Sequence, residues 1–251
     1  MNAPLSGVRV VVTRAADQAG DLDKALSELG AEVVLAPMIV IAEPSTWASL
    51  DRALGRLHEY EWVMLTSANA ASMMLARMRD PTALARTRVA AVGSTTRRLL
   101  EERGVRVDLV PHDFTGRSLA AALGAGSGPL LLPRVAGAPR DLVEALTAAG
   151  WRVDEVVAYR NLPPDPSAPW VAALRTAAFD AVTFASPSAV RNFVGLGLDA
   201  GTASIVCIGP STGAAAKELG LFPDAVASDH TTAGLVAALI PLFAGNGTIG
   251  K

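Results

Sequence analysis

Residues 204–220 read S-I-V-C-I-G-P-S-T-G-A-A-A-K-E-L-G, and this stretch decides how the rest of the chain is interpreted. The apolar run Ile205–Ile208 is typical of a fully buried strand, and a Gly-Pro pair ends it. We expect Ser211 or Thr212 to cap the helix that follows and Gly220 to end it. A strand, a glycine turn and a capped helix start leave free backbone N–H groups at the end of a sheet, where they suit an anionic or carbonyl-bearing ligand. The alternative is an ordinary strand-to-helix turn, because Gly and Ser are common turn residues.

The same design occurs earlier in the chain, where residues 89–104 read V-A-A-V-G-S-T-T-R-R-L-L-E-E-R-G. Three equivalent pairs are each separated by 116 positions, namely Gly93 and Gly209, Thr96 and Thr212, and Gly104 and Gly220. Further segments repeat at offsets of 116 to 120, namely 8–14 with 130–134, 22–30 with 142–150, 62–70 with 181–189, and 115–123 with 231–239. This self-similarity predicts an internal duplication of about half the chain length.

Each half alternates short β-rich runs with helical patterns, which predicts an α/β fold of parallel strands with helices on both faces. The expected strands are 8–13, 32–36, 61–65, 88–92 and 106–110 in the first half, and 129–132, 152–157, 180–184, 204–208 and 225–228 in the second. Five strands per half suit a flavodoxin-like doubly wound sheet. The sequence therefore predicts two flavodoxin-like parallel-sheet lobes.

Two segments do not fit inside a compact lobe. Residues 37–44 read P-M-I-V-I-A-E-P, and residues 157–166 read V-A-Y-R-N-L-P-P-D-P. Because proline favours extended connectors, we predict that both are linkers that run side by side as two strands. Lobe 1 is then discontinuous and comprises 1–36 plus 167–251, whereas lobe 2 comprises 45–156. A cleft between two such lobes is a favoured place for a ligand.

Composition limits the possible partners. The net charge of −2 lacks the positive excess of a nucleic-acid-binding protein, and an aromatic fraction of 5% leaves few side chains on which bases could stack. Cys207 lies in an apolar run and is predicted to be a buried small hydrophobe, and the His residues have no metal-ligand spacing. The sequence shows neither a signal-like pattern at its start nor an apolar run long enough to span a membrane. We therefore expect a cytoplasmic protein with no membrane, nucleic-acid or metal partner.

Several familiar catalytic motifs are missing from the sequence. No G-x-G-x-x-G follows a predicted strand, so a nicotinamide or flavin site is not indicated. Residues 245–251 read G-N-G-T-I-G-K and partly match a phosphate-binding loop, but the Ser or Thr is lacking and we expect a disordered tail. Neither a Ser-His-Asp order nor a nucleophile elbow occurs. Any catalysis is expected to depend on positioning and on backbone donors.

Six motifs in chain order resemble the uroporphyrinogen-III synthase family. They are T-R at 13–14, L-T-S-A-N-A at 65–70, A-V-G-S-T-T at 91–96, V-V-A-Y-R-N at 156–161, F-A-S-P-S-A-V at 184–190 and C-I-G-P-S-T at 207–212. Each motif is weak alone, but together they cover nearly the whole chain in the right order. The resemblance implies two lobes joined by a two-stranded linker, in agreement with the linkers inferred above.

The resemblance also implies a reaction. The enzyme would be a lyase that closes hydroxymethylbilane into a ring with loss of water and inversion of ring D, giving uroporphyrinogen III in haem biosynthesis. No cofactor is implied. The substrate carries eight carboxylates, which suits many N–H donors at helix starts. We expect a monomer, and the resemblance also allows a transient contact with the preceding pathway enzyme.

The family's tyrosine corresponds to Tyr159. Its implied catalytic role is to donate a proton to the departing hydroxyl or to orient that group. The alternative is that Tyr159 packs its ring as an amphipathic linker residue. The first-half linker has Ile39 and Ile41 near the equivalent position, so the phenol is carried by one linker, which suits a single active cleft.

The resemblance assigns substrate binding to residues at the strand ends. They are Arg14, Thr66, Ser67, Ala68, Gly93, Thr96, Ser186, Pro187, Ser188, Gly209, Pro210, Ser211 and Thr212. For Thr96 and Thr212 the alternative role is helix capping, which is compatible with substrate binding. Arg134, Arg140 and Arg160 could also meet carboxylates, although a solvated or structural role is the alternative for each of them.

Two other functions compete with the enzyme. A non-catalytic bilobal binding or sensor protein for a small anionic ligand would also have a cleft, but only the enzyme would give the type III isomer. A receiver-like signalling domain needs an acidic pocket at the strand ends, whereas these ends read T-R, T-S and V-G. Within the enzyme hypothesis, we expect catalysis to be mainly conformational, through lobe closure that excludes water and selects one conformer of the bilane.

Overall fold

The computed structural model describes residues 3–113 and 115–244 of the chain. The glycine-rich segment 245–251, for which a disordered tail is predicted, lies outside the described residues. Within the described ranges, none of the helices combines the length and the apolar character that crossing a bilayer requires.

Strands and helices alternate along most of the chain. The strands are β1 (Arg9–Val12), β2 (Glu32–Leu35), β3 (Val40–Ala42), β4 (Trp62–Leu65), β5 (Arg88–Ala91), β6 (Pro129–Val135), β7 (Arg152–Leu162), β8 (Ala181–Phe184), β9 (Ser204–Cys207) and β10 (Ala225–Val226). The α-helices are α1 (Gly20–Glu28), α2 (Ala48–Gly55), α3 (Ala68–Arg77), α4 (Ser94–Glu102), α5 (Gly116–Leu123), α6 (Asp141–Ala148), α7 (Pro169–Thr176), α8 (Pro187–Gly195), α9 (Pro210–Glu218) and α10 (Thr232–Phe243).

The chain divides into two compact units, each with its own sheet. Unit 1 comprises Met1–Val40 with Leu162–Lys251, and unit 2 comprises Ile41–Asn161. The first sheet has the strand order β2-β1-β8-β9-β10, and all four of its pairings are parallel. The second sheet has the order β3-β7-β6-β4-β5, in which the β7–β6, β6–β4 and β4–β5 pairings are parallel. The predicted α/β class with parallel sheets is therefore confirmed.

Both faces of each sheet are buried, which explains the continuous apolar runs of the strands. In β4, Val63 and Leu65 contact a core that includes residues of α2, α3 and α4. The alternating residues Trp62 and Met64 contact a second core, which includes residues of α5 and α6. Successive side chains of a strand point to opposite faces of the sheet, so one apolar run packs against helices on both faces.

Unit 1 repeats this arrangement. Val10 and Val12 of β1 pack with residues of α1 and α10, whereas Val11 packs with residues of α7 and α8. Phe184 at the end of β8 and Phe193 of α8 meet edge to face, with ring centroids 5.3 Å apart. Such an aromatic pair contributes about 0.5–1.5 kcal/mol beyond the burial of its area.

Two predicted strands need correction. The strand expected at 106–110 is reduced to an isolated bridge between Leu109 and Ala90. The strand expected at 152–157 continues to Leu162, because β6 pairs with it as far as Val135 and because it has β3 as its other neighbour. β3 lies within the predicted linker 37–44, and its place next to β7 agrees with the prediction that the two linker segments run side by side.

Pro133 in the middle of β6 is compatible with the sheet because of the register. It lies opposite Val156 of β7, whereas the pairing of β6 with β4 ends at Leu131. Proline cannot donate a ladder hydrogen bond, so it is tolerated where a strand has lost one of its two partners.

Equivalent contacts recur in the two sheets. Val89 N donates to Asp108 Oδ2 at 2.9 Å, and Ile205 N donates to Asp224 Oδ2 at 2.8 Å. Both pairs obey the 116-residue offset of the sequence repeat. In each case a carboxylate 19 positions further along the chain satisfies a backbone donor of the strand.

Replacing the buried Phe193 by alanine tests the core of unit 1. Phe193→Ala should lower the free energy of unfolding by about 3–5 kcal/mol, because it removes a fully buried ring and leaves a cavity. Phe222→Ala is the matched control, since Phe222 is 72% exposed and its loss should change stability by less than about 0.5 kcal/mol. Urea unfolding followed by circular dichroism measures both; equal effects would contradict this packing.

Candidate active site

The predicted site residues follow the carboxyl ends of strands in both units. In unit 2, Thr66–Ala68 follow β4 and Gly93 follows β5, so the two groups share the carboxyl edge of one parallel sheet. In unit 1, Ser186–Ser188 follow β8 and Gly209–Thr212 follow β9. Open parallel sheets bind ligands at this edge, because helix N-termini also lie there.

Two serines cap the helices that start at these edges. Ser67 Oγ accepts a hydrogen bond from Ala70 N at 3.1 Å, which caps α3. Ser186 Oγ accepts one from Ala189 N at 3.2 Å, which caps α8. Each serine therefore satisfies one of the backbone donors that a helix N-terminus leaves free.

Tyr159 and Ser67 meet at the edge of the unit 2 sheet. Their side-chain oxygens are 3.3 Å apart, a hydrogen-bonding distance in which either hydroxyl can donate. Tyr159 lies on β7 and is only 6% exposed, and its ring belongs to the core on one face of the sheet. The structure thus brings together two residues that the sequence places 92 positions apart.

The glycine turns differ from the serine turns in their capping. Gly93 is the N-cap of α4 and Gly209 is the N-cap of α9, and neither helix has a side-chain cap. The expectation that Ser211 or Thr212 caps α9 is therefore wrong: both lie inside the helix, because Pro210 already occupies its first position. Without a capping side chain, the first N–H groups of α4 keep their capacity for an external acceptor. In α9, Pro210 has no N–H and Thr212 N donates to the Gly209 carbonyl at 3.1 Å, which leaves the N–H of Ser211.

Thr96 and Thr212 are buried among the residues of their helices. They occupy the third position of α4 and of α9, so a capping role is wrong for both. Their assignment to substrate binding stays a prediction. Their equivalent placement shows that the two glycine turns have the same local structure.

A side chain at Gly209 would require the ring of the exposed His230 to move. The backbone of Gly209 is extended, with φ of −176°, which any residue can adopt. A Cβ atom at this position would lie 2.8 Å from Cδ2 of the His230 ring, closer than real contacts allow. His230 therefore lies against the start of α9. In the sequence, His230 was considered only as a metal ligand, and its spacing did not fit one. Its position directly before Thr231, the N-cap of α10, could have indicated that it lies at a helix start.

The arginines at the strand ends make specific contacts. Arg14 Nη1 donates to Thr232 Oγ1 at 2.8 Å, at the start of α10. Arg160 Nε donates to the Glu43 carbonyl at 2.9 Å. Ser188 accepts from Arg191 Nη2 at 3.2 Å within α8.

Other chemically notable groups lie elsewhere. Burial raises the pKa of the Cys207 thiol to about 11, so this thiol is a poor nucleophile, as expected for a core residue. Burial and a hydrogen bond to Asp154 raise the pKa of Tyr60 to about 12, but Tyr60 precedes β4 and so lies away from the carboxyl edge. Among the residues that the structure describes, no group of three or more His, Cys, Asp or Glu could hold a metal ion.

Comparisons with known proteins point to one family. The family model described as uroporphyrinogen-III synthase HemD matches residues 20–237. A uroporphyrinogen-III synthase of Synechococcus elongatus is 32% identical over 257 residues, with 94% of this chain and 96% of the relative covered. Among solved structures, a mutant uroporphyrinogen III synthase from Thermus thermophilus has a TM-score of 0.61 at 22% identity, covering 92% of this chain and 96% of that one. A uroporphyrinogen-III synthetase from Helicobacter pylori has a TM-score of 0.68 at 16% identity, covering 94% and 99%.

Fold and site together define a parallel-sheet α/β protein, and most of its predicted site residues lie near helix N-termini at the carboxyl edges of the two sheets. The family match spans most of the chain, and the relative from Synechococcus elongatus exceeds 30% identity over nearly its whole length. The chain belongs to the uroporphyrinogen-III synthase family, and the resemblance drawn from its six motifs is confirmed.

The contact between Ser67 and Tyr159 can be tested by a double-mutant cycle. Ser67→Ala removes the cap of α3 and should lower the free energy of unfolding by about 1 kcal/mol. Combined with Tyr159→Phe, it should show a coupling energy of about 0.5–1 kcal/mol, because the two hydroxyls are partners.

The same cycle between Ser186→Ala and Tyr159→Phe is the control, since Ser186 caps a helix of unit 1. We expect the effects of this second pair to be additive in urea unfolding. Additivity in both cycles would mean that the hydrogen bond between Ser67 and Tyr159 does not form in solution.

Proposed function

We propose that this chain catalyses the uroporphyrinogen-III synthase reaction. It takes hydroxymethylbilane, removes water, closes the ring and inverts ring D to give uroporphyrinogen III. The family match over residues 20–237 carries this proposal. The placement of the hydroxyl and glycine turns at the carboxyl edges of both sheets supports it.

The helix starts at the two glycine turns bind carboxylates of the substrate. α4 begins at Gly93 without a side-chain cap, so its N-terminal amides can serve an anion. α9 begins at Gly209 in the same way, but Pro210 has no N–H and Thr212 N donates to the Gly209 carbonyl, so the amide that α9 offers is that of Ser211. The positive end of each helix dipole adds to the attraction. Each such contact is worth about 0.3–1 kcal/mol, so many of them must act together on an eight-carboxylate substrate.

The hydroxyl turns at Thr66–Ala68 and Ser186–Ser188, together with Arg14, contribute further polar groups at the same edges. Ser67 and Ser186 use their Oγ atoms as caps, which holds the turns in one conformation. Thr96 and Thr212 are buried at the third position of the helices that follow the glycine turns. They contribute to substrate binding through the packing of these helix starts.

Tyr159 assists departure of the substrate hydroxyl, either by donating a proton or by orienting the leaving group. Its hydrogen bond with Ser67 supports this role, since it holds the phenol oxygen at the sheet edge where the polar turns lie. A phenol is a weak acid, so proximity supplies much of the effect. The rest of the catalysis is conformational: the protein excludes water and selects one folded form of a flexible chain.

The two units are the lobes of a duplicated flavodoxin-like fold. In unit 1 the five strands follow the order second, first, third, fourth and fifth along that unit's chain. Unit 2 has the same order when its edge strand β3 is left out, β6 is counted first and Leu109 marks the fifth strand. The paired contacts of Asp108 and Asp224 support a common origin. We place the protein in the cytoplasm as a monomer.

Isomer analysis of the product tests the proposed function. The purified chain is added to freshly made hydroxymethylbilane, and the oxidised products are separated by isomer. We expect the type III isomer, whereas spontaneous closure gives the symmetric type I isomer. Type I alone, with binding of the bilane retained, would support the binding or sensor protein instead.

Removal of the phenol hydroxyl tests the role of Tyr159. Tyr159→Phe should lower kcat on the order of 100-fold, because proton donation or orientation at the leaving group is lost. The circular dichroism spectrum should be unchanged, since the ring stays in the core. Tyr60→Phe is the matched control and should keep kcat within about twofold, because Tyr60 lies away from the carboxyl edge. Full activity of Tyr159→Phe would remove this residue from the mechanism.

A further inference from the structure

A cavity of about 470 Å³ lies at the carboxyl edge of the unit 2 sheet. It is lined by Thr66, Thr115, Gly116, Arg117, Arg134, Asp141 and Leu142. We propose that this cavity, which we call the α5 pocket, binds one carboxylate-bearing side chain of the substrate. This inference rests on the proposed function and adds a subsite to it.

Arg134 supplies a fixed positive charge to the α5 pocket. Its side chain is only 8% exposed; Nη1 donates to Glu155 Oε1 at 3.0 Å and Nη2 donates to the Pro139 carbonyl at 2.9 Å. Glu155 also lies 3.9 Å from Arg140 Nη1, so one carboxylate serves two guanidinium groups. This cluster therefore keeps a net positive charge, and its planar Arg134 donor is pre-organised for a second carboxylate.

The remaining side-chain charges of the lining cancel, so the positive charge of the pocket comes from Arg134 and from the helix starts. Arg117 adds a second guanidinium and Asp141 adds one carboxylate, while Thr66 offers a hydroxyl. The starts of α5 and α6 also face this region, and helix N-termini favour negative charge. Leu142 contributes an apolar wall, which suits the methylene groups between a ring and its carboxylate.

The equivalent position in unit 1 explains why this space is open. There, Arg14 Nη1 donates to Thr232 Oγ1 at 2.8 Å. The sequence repeat pairs Arg14 with Arg134 and Thr232 with Gly116, so unit 2 has no side chain where unit 1 has this hydroxyl. A Cβ at Gly116 would lie 3.3 Å from Leu142 Cδ2, so a larger residue would narrow the cavity. The glycine thus leaves room for a ligand group beside Arg134.

Two substitutions of opposite charge test the α5 pocket in the isomer assay. Arg117→Gln should raise KM for hydroxymethylbilane about fivefold to tenfold with little change in kcat, because a charge-assisted contact is lost. Asp141→Asn should lower KM about twofold, because a repelling charge is removed. A cationic ligand group would reverse both directions. Arg98→Gln is the matched control: its side chain is 74% exposed on α4, and KM should not change.

A direct binding measurement separates this inference from the proposed function. Isotope-labelled protein is titrated with propionate, and with chloride at equal ionic strength, while amide resonances are followed by NMR. The Gly116 and Arg117 signals should shift with propionate and not with chloride, and Arg117→Gln should weaken the response at Gly116 several-fold. Type III product from the wild type together with no propionate shift would overturn the α5 pocket alone. Propionate shifts without type III product would support the pocket and reject the proposed reaction.

Discussion

Parallel pairing of buried strands is the constraint on which the rest of the structure depends. When neighbouring strands run in the same direction, every crossover helix must start at the same edge of the sheet. In both units the strands are short apolar runs packed between two layers of helices, as the alternating residues of β1 and β4 show. The polar turns are therefore placed together by the topology, although they are far apart in the chain.

The helix starts at these edges are of two kinds, and the difference is physical. Ser67 and Ser186 satisfy an amide of their own helix, so their turns are closed and rigid. Gly93 and Gly209 provide no such side-chain acceptor, which leaves the first amides of α4 and the Ser211 amide of α9 for other partners. The ring of His230 lies against Gly209 and would have to move to admit a side chain there.

Much of the fold was predictable because its signals are local. Period-two burial, glycine helix ends and the repeat between 89–104 and 204–220 all follow from short-range backbone preferences. The errors occurred where a neighbouring strand decides the outcome. β7 extends to Leu162 because β6 and β3 accompany it, and the expected strand at 106–110 shrinks to one bridge at Leu109 because it lies at a sheet edge. The hydrophobic periodicity of one strand does not show how far its neighbouring strand extends.

For the candidate site, the amino-acid order alone was enough to name the polar turns, Tyr159 and the family to which the chain belongs. It was not enough to pair Tyr159 with Ser67, to bury Thr96 and Thr212, or to bring His230 against Gly209. Nor did it show that Gly116 leaves a cavity beside Arg134. Residue type and spacing record local backbone preference, whereas these contacts join segments whose distance is set by strand register and helix packing.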